Sequence, residues 1–553
     1  MKYPIGIQSF EIIRSDGYVY VDKTDLVYSL THEGRVYFLG RPRRFGKSLL
    51  VSTLENYYLG KKELFRGLAI EQLETEWKTY PVFRVDFGQG SFVETGNLDE
   101  VLDSYLSAWE KQYGLQPFSY PSNYSLRFMR LLEAVHQQTG LRAVVLIDEY
   151  DKPLLDVMDT GFMVEVSGKK ITLEEYNRER LKAFYGTFKA ADDHLQFVML
   201  TGVTKFSQVS VFSGFNQPDD ISMATQYDSL CGITEEEISK YFTQPVQEMA
   251  EVYGCTSDEM REMLRRRFDG YHFSKRMRGV YNPFSLLNTL KKQDIQDYWF
   301  STGTPTYLVR LMNHFDETIN DLSGKYYVPS QFVDYRADKE MPLPMIFQCG
   351  YLTIKDYKQR TNQFLLDFPN DEVKKGFVTL LAGSYLKSEE SVDNWALNAV
   401  NALDEGDLEM FHVSLSAFLS SIPYTMRRKD TEREKERFFH YTFYLLLRLL
   451  STYMVYTEKV QSQGRVDCVV ETSQYVYIFE FKLDGSADEA LRQIEDKGYA
   501  HEYANDSRRL YKIGCSFSSA IGTISDWKVY QQPQTNKLIL SAIGTISDWK
   551  VEA

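Results

Sequence analysis

Two groups of residues in this chain of 553 residues have the types and spacing that phosphate chemistry requires. The first is the segment Gly40–Ser48, GRPRRFGKS, which lies between the apolar run VYFL and a stretch with helical spacing. Proteins bind nucleotide phosphates with backbone N–H groups, a helix N-terminus and a lysine, and a hydroxyl can serve as a ligand of Mg²⁺. Gly46, Lys47 and Ser48 match these roles, so the sequence predicts a phosphate-binding loop.

The loop departs from the usual spacing of such motifs, G-x-x-x-x-G-K-[ST]. Arg41 occupies the position of the first glycine, and Gly40 lies one residue earlier. We therefore expect a loop that is one residue longer than usual or differently shaped.

An acidic pair follows another apolar run. The residues AVVLI lead directly into Asp148 and Glu149. At the tip of a buried strand, Asp148 fits a Mg²⁺ ligand, directly or through water, and Glu149 fits the residue that polarises the attacking water. A glycine–lysine turn or a solvated strand end is common when it occurs alone. Both together, in this order, indicate nucleotide binding and hydrolysis.

A third run, FVML, is followed by Thr201, Thr204 and Lys205. A polar side chain at this strand end can sense the γ-phosphate, and Thr204 is our candidate. Threonine and lysine are also common at strand ends in general, so both interpretations stay open.

The second group consists of carboxylates near the C-terminus. If GRVDCVVE and YVYIFEFK form an antiparallel hairpin with its loop at Ser473 and Gln474, Asp467 lies directly opposite Glu480. Two opposed carboxylates repel each other unless a cation lies between them, and a divalent metal ion suits this position. Lys482 points to the same face of the strand and can orient a water molecule. The alternative is a solvated edge strand in which Glu and Lys alternate.

Two further residues have both a functional and an ordinary explanation. Glu436 lies on the apolar stripe of a helix, where a carboxylate suggests a metal ligand, but the mixed-charge run RRKDTEREKER also fits a plain helix end. Gln493 can contact the substrate or the metal, and a surface glutamine explains it equally well.

Short apolar runs must position the first group. They alternate with helical stretches over residues 1–225, which predicts an α/β domain with a parallel sheet covered by helices on both faces. We expect its strands at Val36–Leu39, Val82–Phe87, Ala143–Ile147 and Phe197–Leu200.

The remaining chain predicts two more domains. Residues 226–424 have a mainly helical pattern, which begins with a capping box of Thr234 and Glu237. Residues 425–553 predict an αββαβ domain whose last strand lies near Leu510–Phe517. The eleven residues Ser519–Val529 recur identically at Ser541–Val551, and we interpret the second copy as a tail duplication or a sequencing artefact.

Composition limits the partners of the protein. The chain has 63 Lys and Arg against 77 Asp and Glu, a net charge of −14, which excludes a uniformly basic nucleic-acid coat but not local patches. One such patch, Arg261–Arg278, has seven basic and two acidic residues with interleaved aromatic side chains. It fits contact with nucleic acid, contact with nucleotide phosphates, or the flank of a packed helix.

The chain has five cysteines without a CxxC pair, which leaves no basis for a disulfide framework or a zinc ribbon. It has neither a recognisable leader nor an apolar run of about 20 residues. We expect a cytoplasmic protein without membrane contact, and a homo-oligomer is among the open oligomeric states.

Five sequence blocks resemble the signatures of bacterial AAA-ATPase-like proteins: YVDKT (Tyr20–Thr24), RPRRFGKS (Arg41–Ser48), LIDEYDKP (Leu146–Pro153), LTGVTKFS (Leu200–Ser207) and VYNPFSLLN (Val280–Asn288). In that family the arginine-rich loop is the usual form. The resemblance implies a P-loop NTPase sheet with ATP and Mg²⁺ as cofactors, and Glu149 as the catalytic carboxylate. It implies a nucleotide site made of Gly40, Arg43, Arg44, Gly46, Lys47, Ser48, Asp148 and Thr204.

The C-terminal order Glu…Asp…Glu-x-Lys…Gln resembles the PD-(D/E)XK nuclease superfamily, which has a restriction-endonuclease-like fold. The resemblance implies that Asp467 and Glu480 hold Mg²⁺ and that Lys482 assists the nucleophilic water. Glu436 and Gln493 are supporting residues in this interpretation. Val466 stands where the proline of the superfamily's name is expected.

The sequence thus predicts a P-loop ATPase coupled to a Mg²⁺-dependent nuclease-like domain that acts on DNA. The alternative is a nucleotide-dependent switch or scaffold whose nuclease-like domain is inactive and binds nucleic acid or protein. A third interpretation is an ATPase that acts on proteins and has a structural C-terminal domain.

Overall fold

The computed structural model describes residues 1–166, 168–206, 218–303, 322–333, 342–386, 392–422, 442, 445–446, 449–450, 468–504 and 506–532. The chain forms two compact units, Met1–Gly376 and Phe377–Ala553. The predicted boundary at residues 225–226 falls inside the first unit, and the one at 424–425 lies outside the described residues. The three-part division therefore stays a prediction.

A five-stranded parallel sheet forms the centre of the first unit, in the order β2-β3-β6-β1-β7. The four predicted strands are confirmed. β3 is buried along its whole length because its apolar run has no polar face to turn to water. The strands of the unit's α/β part are β1 (Val36–Gly40), β2 (Val82–Asp86), β3 (Ala143–Asp148), β4 (Met163–Val166), β5 (Lys169–Thr172), β6 (Leu195–Gly202) and β7 (Asp219–Asp220).

Helices connect these strands and continue through the part of the first unit after residue 225, here called the middle region. Within the described ranges, none of them is long and apolar enough to cross a membrane. They are α1 (Phe10–Ser15), α2 (Thr24–Glu33), α3 (Lys47–Tyr58), α4 (Ile70–Leu73), α5 (Asn97–Gln112), α6 (Tyr124–Thr139), α7 (Lys152–Leu155), α8 (Leu173–Ala190), α9 (Glu235–Tyr241), α10 (Thr243–Tyr253), α11 (Ser257–Phe268), α12 (Pro283–Lys292), α13 (Tyr298–Gly303), Leu343–Gln348 and Asp371–Leu386.

The middle region confirms one local prediction and adds an unpredicted sheet. The capping box at α9 is present, with the Thr234 N–H donating to Glu237 Oε2 at 2.8 Å. The added sheet is antiparallel and consists of β8 (Lys325–Tyr327), β9 (Thr353–Lys358) and β10 (Gln363–Asp367). These strands are short and partly exposed, so no long apolar run announces them in the sequence.

Gly350 of the middle region packs directly against the loop that follows β1. Its φ is +87°, and an added Cβ would lie 2.6 Å from Pro42 Cγ. Both the backbone conformation and the close approach therefore require glycine at this position.

The carboxyl group of Glu372, near the start of the helix Asp371–Leu386, is buried. It accepts hydrogen bonds from Ser285 Oγ at 2.8 Å and from the Trp299 N–H at 2.7 Å. Burial raises the pKa of this carboxyl group to about 7.

The second unit contains a four-stranded mixed sheet, in the order β11-β12-β13-β14. β12 is parallel to β13, and the other two pairings are antiparallel. Tyr477 in this sheet donates to the Leu403 carbonyl at 2.6 Å, so the helix that carries Leu403 packs against the sheet. The elements are β11 (Cys468–Glu471), β12 (Tyr475–Leu483), β13 (Arg509–Ser518), β14 (Thr523–Gln531) and the helices Val392–Glu405, Leu408–Ser421 and Ala487–Asp496.

The first copy of the repeated segment is part of this fold, because it forms most of β14. Trp527 stacks on His412 with ring centroids 4.7 Å apart, and Asp526 accepts the Ala487 N–H at 2.8 Å. The predicted strand near Leu510–Phe517 is confirmed as β13, but the prediction that it is the last strand was wrong, because β14 follows it. The second copy lies outside the described residues.

We expect Gly350→Ala to lower the free energy of unfolding more than Gly254→Ala. Both positions have positive φ, where a Cβ costs about 1–2 kcal/mol, but nothing lies within 4 Å of an added Cβ at Gly254. The added methyl group of Gly350→Ala also overpacks the contact with Pro42, which costs about 1–3 kcal/mol more. Urea unfolding of the two variants measures the difference, and equal losses would contradict the close contact.

We also expect Glu372 to make the protein less stable as the pH rises from about 4.5 to about 7. In this window the folded state binds more protons than the unfolded state, and stability falls as these protons dissociate. Glu372→Gln should remove a slope on the order of 1 kcal/mol per pH unit from the pH dependence. Urea midpoints of both proteins across this range measure it, and identical slopes would show that Glu372 is not the titrating group.

Candidate functional site

The parallel sheet brings the predicted phosphate loop and the acidic pair to one edge. Gly40 at the end of β1 pairs with Gly202 of β6, and Ile147 of β3 pairs with Leu200 of the same strand. Because the strands are parallel, their carboxyl ends share this edge. The loop after β1 and the acids after β3 therefore lie on either side of the end of β6.

Lys47, the first residue of α3, is buried in the loop. Its ammonium group donates to the carbonyl oxygens of Arg41 and Pro42 at 2.9 and 3.0 Å. Burial lowers the pKa of Lys47, and the nearby carboxylates of Glu149 and Asp148 oppose this shift. The lysine thus supplies a positive charge at the centre of the site, held by neutral carbonyls.

Asp148 at the end of β3 is fully buried. Its Oδ1 atom accepts a hydrogen bond from Thr201 Oγ1 at 2.6 Å. Its Oδ2 atom has no hydrogen-bond partner among the residues that the structure describes. A buried carboxylate oxygen without a donor fits a divalent cation or its water ligand. The donor set of Asp148 and the Ser48 hydroxyl therefore suits Mg²⁺.

Glu149 follows with a left-handed backbone, at φ +52°. Burial raises the pKa of its carboxyl group, while the charges of Lys47 and Arg43 oppose the shift. An added Cβ at Gly88 would lie 2.9 Å from Asp86 Oδ1 and 3.0 Å from Glu149 Oε2, so these two acids flank the same glycine. Sequence reasoning missed Asp86, although it lies within the predicted strand VFRVDF; it is the last residue of β2.

Asp151 is a second residue that sequence reasoning did not single out. Its Oδ2 atom accepts the backbone N–H groups of Val203 and Thr204 at 2.9 and 2.6 Å. Burial raises the pKa of Asp151 to about 6. Asp151 therefore fixes the turn after β6 to the segment that carries Asp148 and Glu149.

The candidate sensor residues occupy different surroundings. Thr201 contacts Asp148, whereas the Thr204 hydroxyl donates to Met345 Sδ at 3.4 Å and is fully buried. Lys205 Nζ pairs with Asp220 Oδ2 at 2.8 Å. A γ-phosphate role for Thr204 stays a prediction, and Thr201 is the residue of this group that contacts the acidic pair.

The loop arginines divide into an anchor and more open side chains. Arg41 is 1% exposed, and its guanidinium donates to the carbonyls of Gly40, Ser222 and Tyr227. Arg44 is exposed, with φ +68°, and its guanidinium lies 4.7 Å from the Phe284 ring centroid. Arg41, which stands at the position of the usual first glycine, therefore ties the loop to the region after β7.

An apolar cavity of about 100 Å³ lies beside Gly46. Three parts of the first unit form its wall. The N-terminal segment contributes Val19, the phosphate loop contributes Phe45, and the middle region contributes Ile233 and Leu287. Lys23 at its rim pairs with Glu237 Oε1 at 2.6 Å, which ties the N-terminal segment to α9. The block YVDKT thus helps to close the cavity.

The basic segment Arg261–Arg278 is largely compensated by acids. Five of its seven basic residues form ion pairs, which favours the packing interpretation that the sequence left open. The pairs are Arg261 and Arg265 with Glu235, Arg266 with Asp371, Arg267 with Asp297, and Arg278 with Asp228.

In the second unit, the hairpin register agrees with the prediction. Cys468 pairs with Phe479 and Glu471 with Val476. Two of the predicted metal ligands, Asp467 and Glu436, lie outside the described residues. Within the described part of the chain, no three His, Cys, Asp or Glu side chains are grouped so that they could hold a metal.

The remaining three C-terminal candidates lie together. Lys482 Nζ donates to Glu480 Oε1 at 3.3 Å and to Gln493 Oε1 at 2.6 Å. Glu480 is 1% exposed. Gln493 is half-buried and its amide oxygen contacts Lys482, which favours a role in the site over a plain surface glutamine.

A glycine permits this arrangement. Gly514 of β13 pairs with Glu480, and an added Cβ there would lie 2.2 Å from the Ala487 carbonyl oxygen. The helix Ala487–Asp496, which carries Gln493, therefore lies directly on the strand next to Glu480.

Comparisons with known proteins agree with both halves of the chain. Residues 4–212 match the family described as "Predicted AAA-ATPase", and residues 434–527 match the "PD-(D/E)XK nuclease superfamily". A protein from Azotobacter chroococcum mcd 1, described as "Uncharacterized protein in vnfD 5'region", is 35% identical over 525 residues, 94% of this chain and 96% of that protein. No solved structure matches the chain. The chain belongs to the family of AAA-ATPase-like proteins that carry a C-terminal domain of the PD-(D/E)XK nuclease superfamily.

Proposed function

We propose that the first unit binds and hydrolyses ATP with Mg²⁺. The observation that carries this proposal is the buried Asp148 carboxylate, which has one oxygen without a donor among the described residues and lies near the Lys47 ammonium. Lys47 would exchange its bonds to the Arg41 and Pro42 carbonyls for bonds to phosphate oxygens. Gly46, Arg43 and Arg44 would surround the same phosphates.

The apolar cavity beside Gly46 is our candidate for the nucleobase. It adjoins the loop and has a largely apolar wall, as a planar base requires. Its wall includes Ile233 and Leu287 of the helical region, so a bound base would hold that region against the α/β sheet.

Glu149 is our candidate for the general base. Its raised pKa makes the carboxylate a better proton acceptor, and its position next to Asp148 puts it beside the proposed metal. Ser48 and Asp148 would hold Mg²⁺, which would supply positive charge beside the nucleotide phosphates. Thr201 would keep the Asp148 carboxylate in place.

We propose that the C-terminal domain is a Mg²⁺-dependent nuclease that acts on DNA. The contact of Lys482 with both Glu480 and Gln493 supports this proposal. Asp467 and Glu480 would hold the metal, which activates a water molecule for attack on a phosphodiester. Lys482 would orient that water, with Gln493 fixing the lysine and Glu436 in a supporting position.

For the ATP site, we expect Lys47→Ala to weaken ATP binding about 10- to 100-fold, because a charge-assisted hydrogen bond contributes about 1.5–3 kcal/mol. Glu149→Gln should retain binding and slow hydrolysis by about 100-fold or more. Fluorescent-nucleotide titration and phosphate release measure the two steps.

Lys62→Ala is the matched control, since Lys62 is an exposed lysine of the same unit. It should behave like the wild type in both assays. Equal ATP affinity of Lys47→Ala and the wild type would contradict the proposed site.

For the nuclease site, we expect Lys482→Ala, Glu480→Gln and Asp467→Asn each to reduce Mg²⁺-dependent DNA cleavage by about 100-fold or more. The last two variants lose a metal ligand, and Lys482→Ala loses the group that orients the attacking water. EDTA should abolish cleavage by the wild type. The exposed residue Lys497 provides the control Lys497→Ala.

Cleavage is measured on linear and supercoiled DNA, with and without ATP. Equal cleavage by all variants would contradict the metal site. DNA binding without cleavage by the wild type would instead support the inactive scaffold.

A further inference from the structure

The phosphate loop is held from outside by side chains of the middle region. The Arg41 guanidinium lies 4.1 Å from the Phe273 ring centroid, and the Arg43 carbonyl accepts the Trp299 indole N–H at 3.0 Å. The Phe45 ring lies 4.7 Å from Tyr271. Residues far along the chain therefore contribute to the shape of this loop.

The contact between Trp299 and Arg43 fixes the orientation of one peptide group. In a trans peptide the C=O of one residue and the N–H of the next point in opposite directions. Since the Arg43 carbonyl points to Trp299, the Arg44 N–H points away from it. This N–H has no hydrogen-bond acceptor among the described residues, so it is available to an anion.

The indole hydrogen bond of Trp299 supports an unfavourable backbone conformation, because Arg44 has φ +68°. A residue with a Cβ is unfavourable in this region and persists only where its surroundings hold it there. The indole hydrogen bond therefore stabilises a strained turn of the loop.

Trp299 is itself fixed by a buried carboxylate. It is 1% exposed, its ring lies 5.3 Å from that of Tyr351, and its backbone N–H donates to Glu372 Oε1 at 2.7 Å. Ser285 Oγ is also within hydrogen-bond distance of both Glu372 oxygens, at 3.1 and 2.8 Å. Glu372 thus sets the position of the residue that holds the loop.

We propose that Trp299 and Glu372 are positioning residues that aim the backbone N–H of Arg44 at a phosphate oxygen of the bound nucleotide. The inference rests on the proposed ATP site for the identity of the anion. The conformation of the loop itself does not depend on that identity. Neither residue touches the nucleotide in this proposal, since both act through the Arg43–Arg44 peptide.

Hydrogen–deuterium exchange of the full chain without nucleotide tests the positioning role. Trp299→Phe keeps an aromatic ring but removes the indole donor, and we expect the peptide covering Gly40–Lys47 to exchange about threefold to tenfold faster. Trp77→Phe is the matched control, because the Trp77 indole nitrogen is buried without a partner among the described residues. It should leave exchange of the loop unchanged.

A second pair of variants covers the case in which Trp299→Phe does not fold. Glu372→Ala removes the nearer acceptor of the Trp299 N–H, at 2.7 Å, and leaves only Ser285 Oγ at 3.2 Å, so it should loosen the loop. Glu372→Gln retains an acceptor oxygen and should restore most of the protection of the loop. Equal loop exchange in Trp299→Phe and Trp77→Phe, or in Glu372→Ala and Glu372→Gln, would overturn the proposal.

Titration with a fluorescent ATP analogue separates this proposal from the proposed function. If the wild type binds ATP, Trp299→Phe should weaken binding about threefold to tenfold, the effect of one lost hydrogen bond. If the wild type does not bind ATP, the proposed function fails. Exchange of the loop still decides whether Trp299 and Glu372 position it.

Discussion

A buried ammonium group among buried carboxylates is the constraint on which the first unit depends. Lys47 cannot be buried without partners, because removing an isolated charge from water costs several kcal/mol or more. The carbonyls of Arg41 and Pro42 solvate it, and Asp148 and Glu149 supply opposite charge nearby. Such an arrangement requires β1 and β3 to end at the same edge of the sheet. The parallel order of the strands meets this requirement.

The same constraint explains why the loop is tied to distant parts of the chain. An arginine in place of the first glycine brings a large cation into a fully buried position, and its donors must find acceptors. Ser222 and Tyr227 provide two of them, and the Phe273 face provides a third contact. Residues beyond β7 therefore help to hold the phosphate loop, although they lie far from it in the sequence.

Local features of the sequence predicted the parts of the structure that depend on neighbours in the chain. The strand β3 follows from a continuous apolar run, and the capping box of α9 follows from Thr234 and Glu237 three residues apart. The hairpin register follows from the length of its loop. The contact of Lys482 with Glu480 follows from the period of two along a strand.

Long-range contacts could not be predicted in this way. Gly350 and Trp299 belong to segments without a pattern of their own, and only the fold brings them to Pro42 and Arg43. β14 was missed because its residues are mostly exposed, so its apolar signal is weak. The direction of an Asp or Glu side chain, as for Asp86 and Asp151, also depends on the turn that follows the strand.

The C-terminal site is arranged around the buried carboxylate of Glu480. Glu480 lies on a strand with neighbours on both sides, where water cannot compensate a carboxylate. Lys482 supplies a positive charge but has a long and flexible side chain, and Gln493 fixes its end from the adjacent helix. That helix can approach because residue 514 has no side chain. The glycine, the glutamine and the lysine therefore form one arrangement around Glu480.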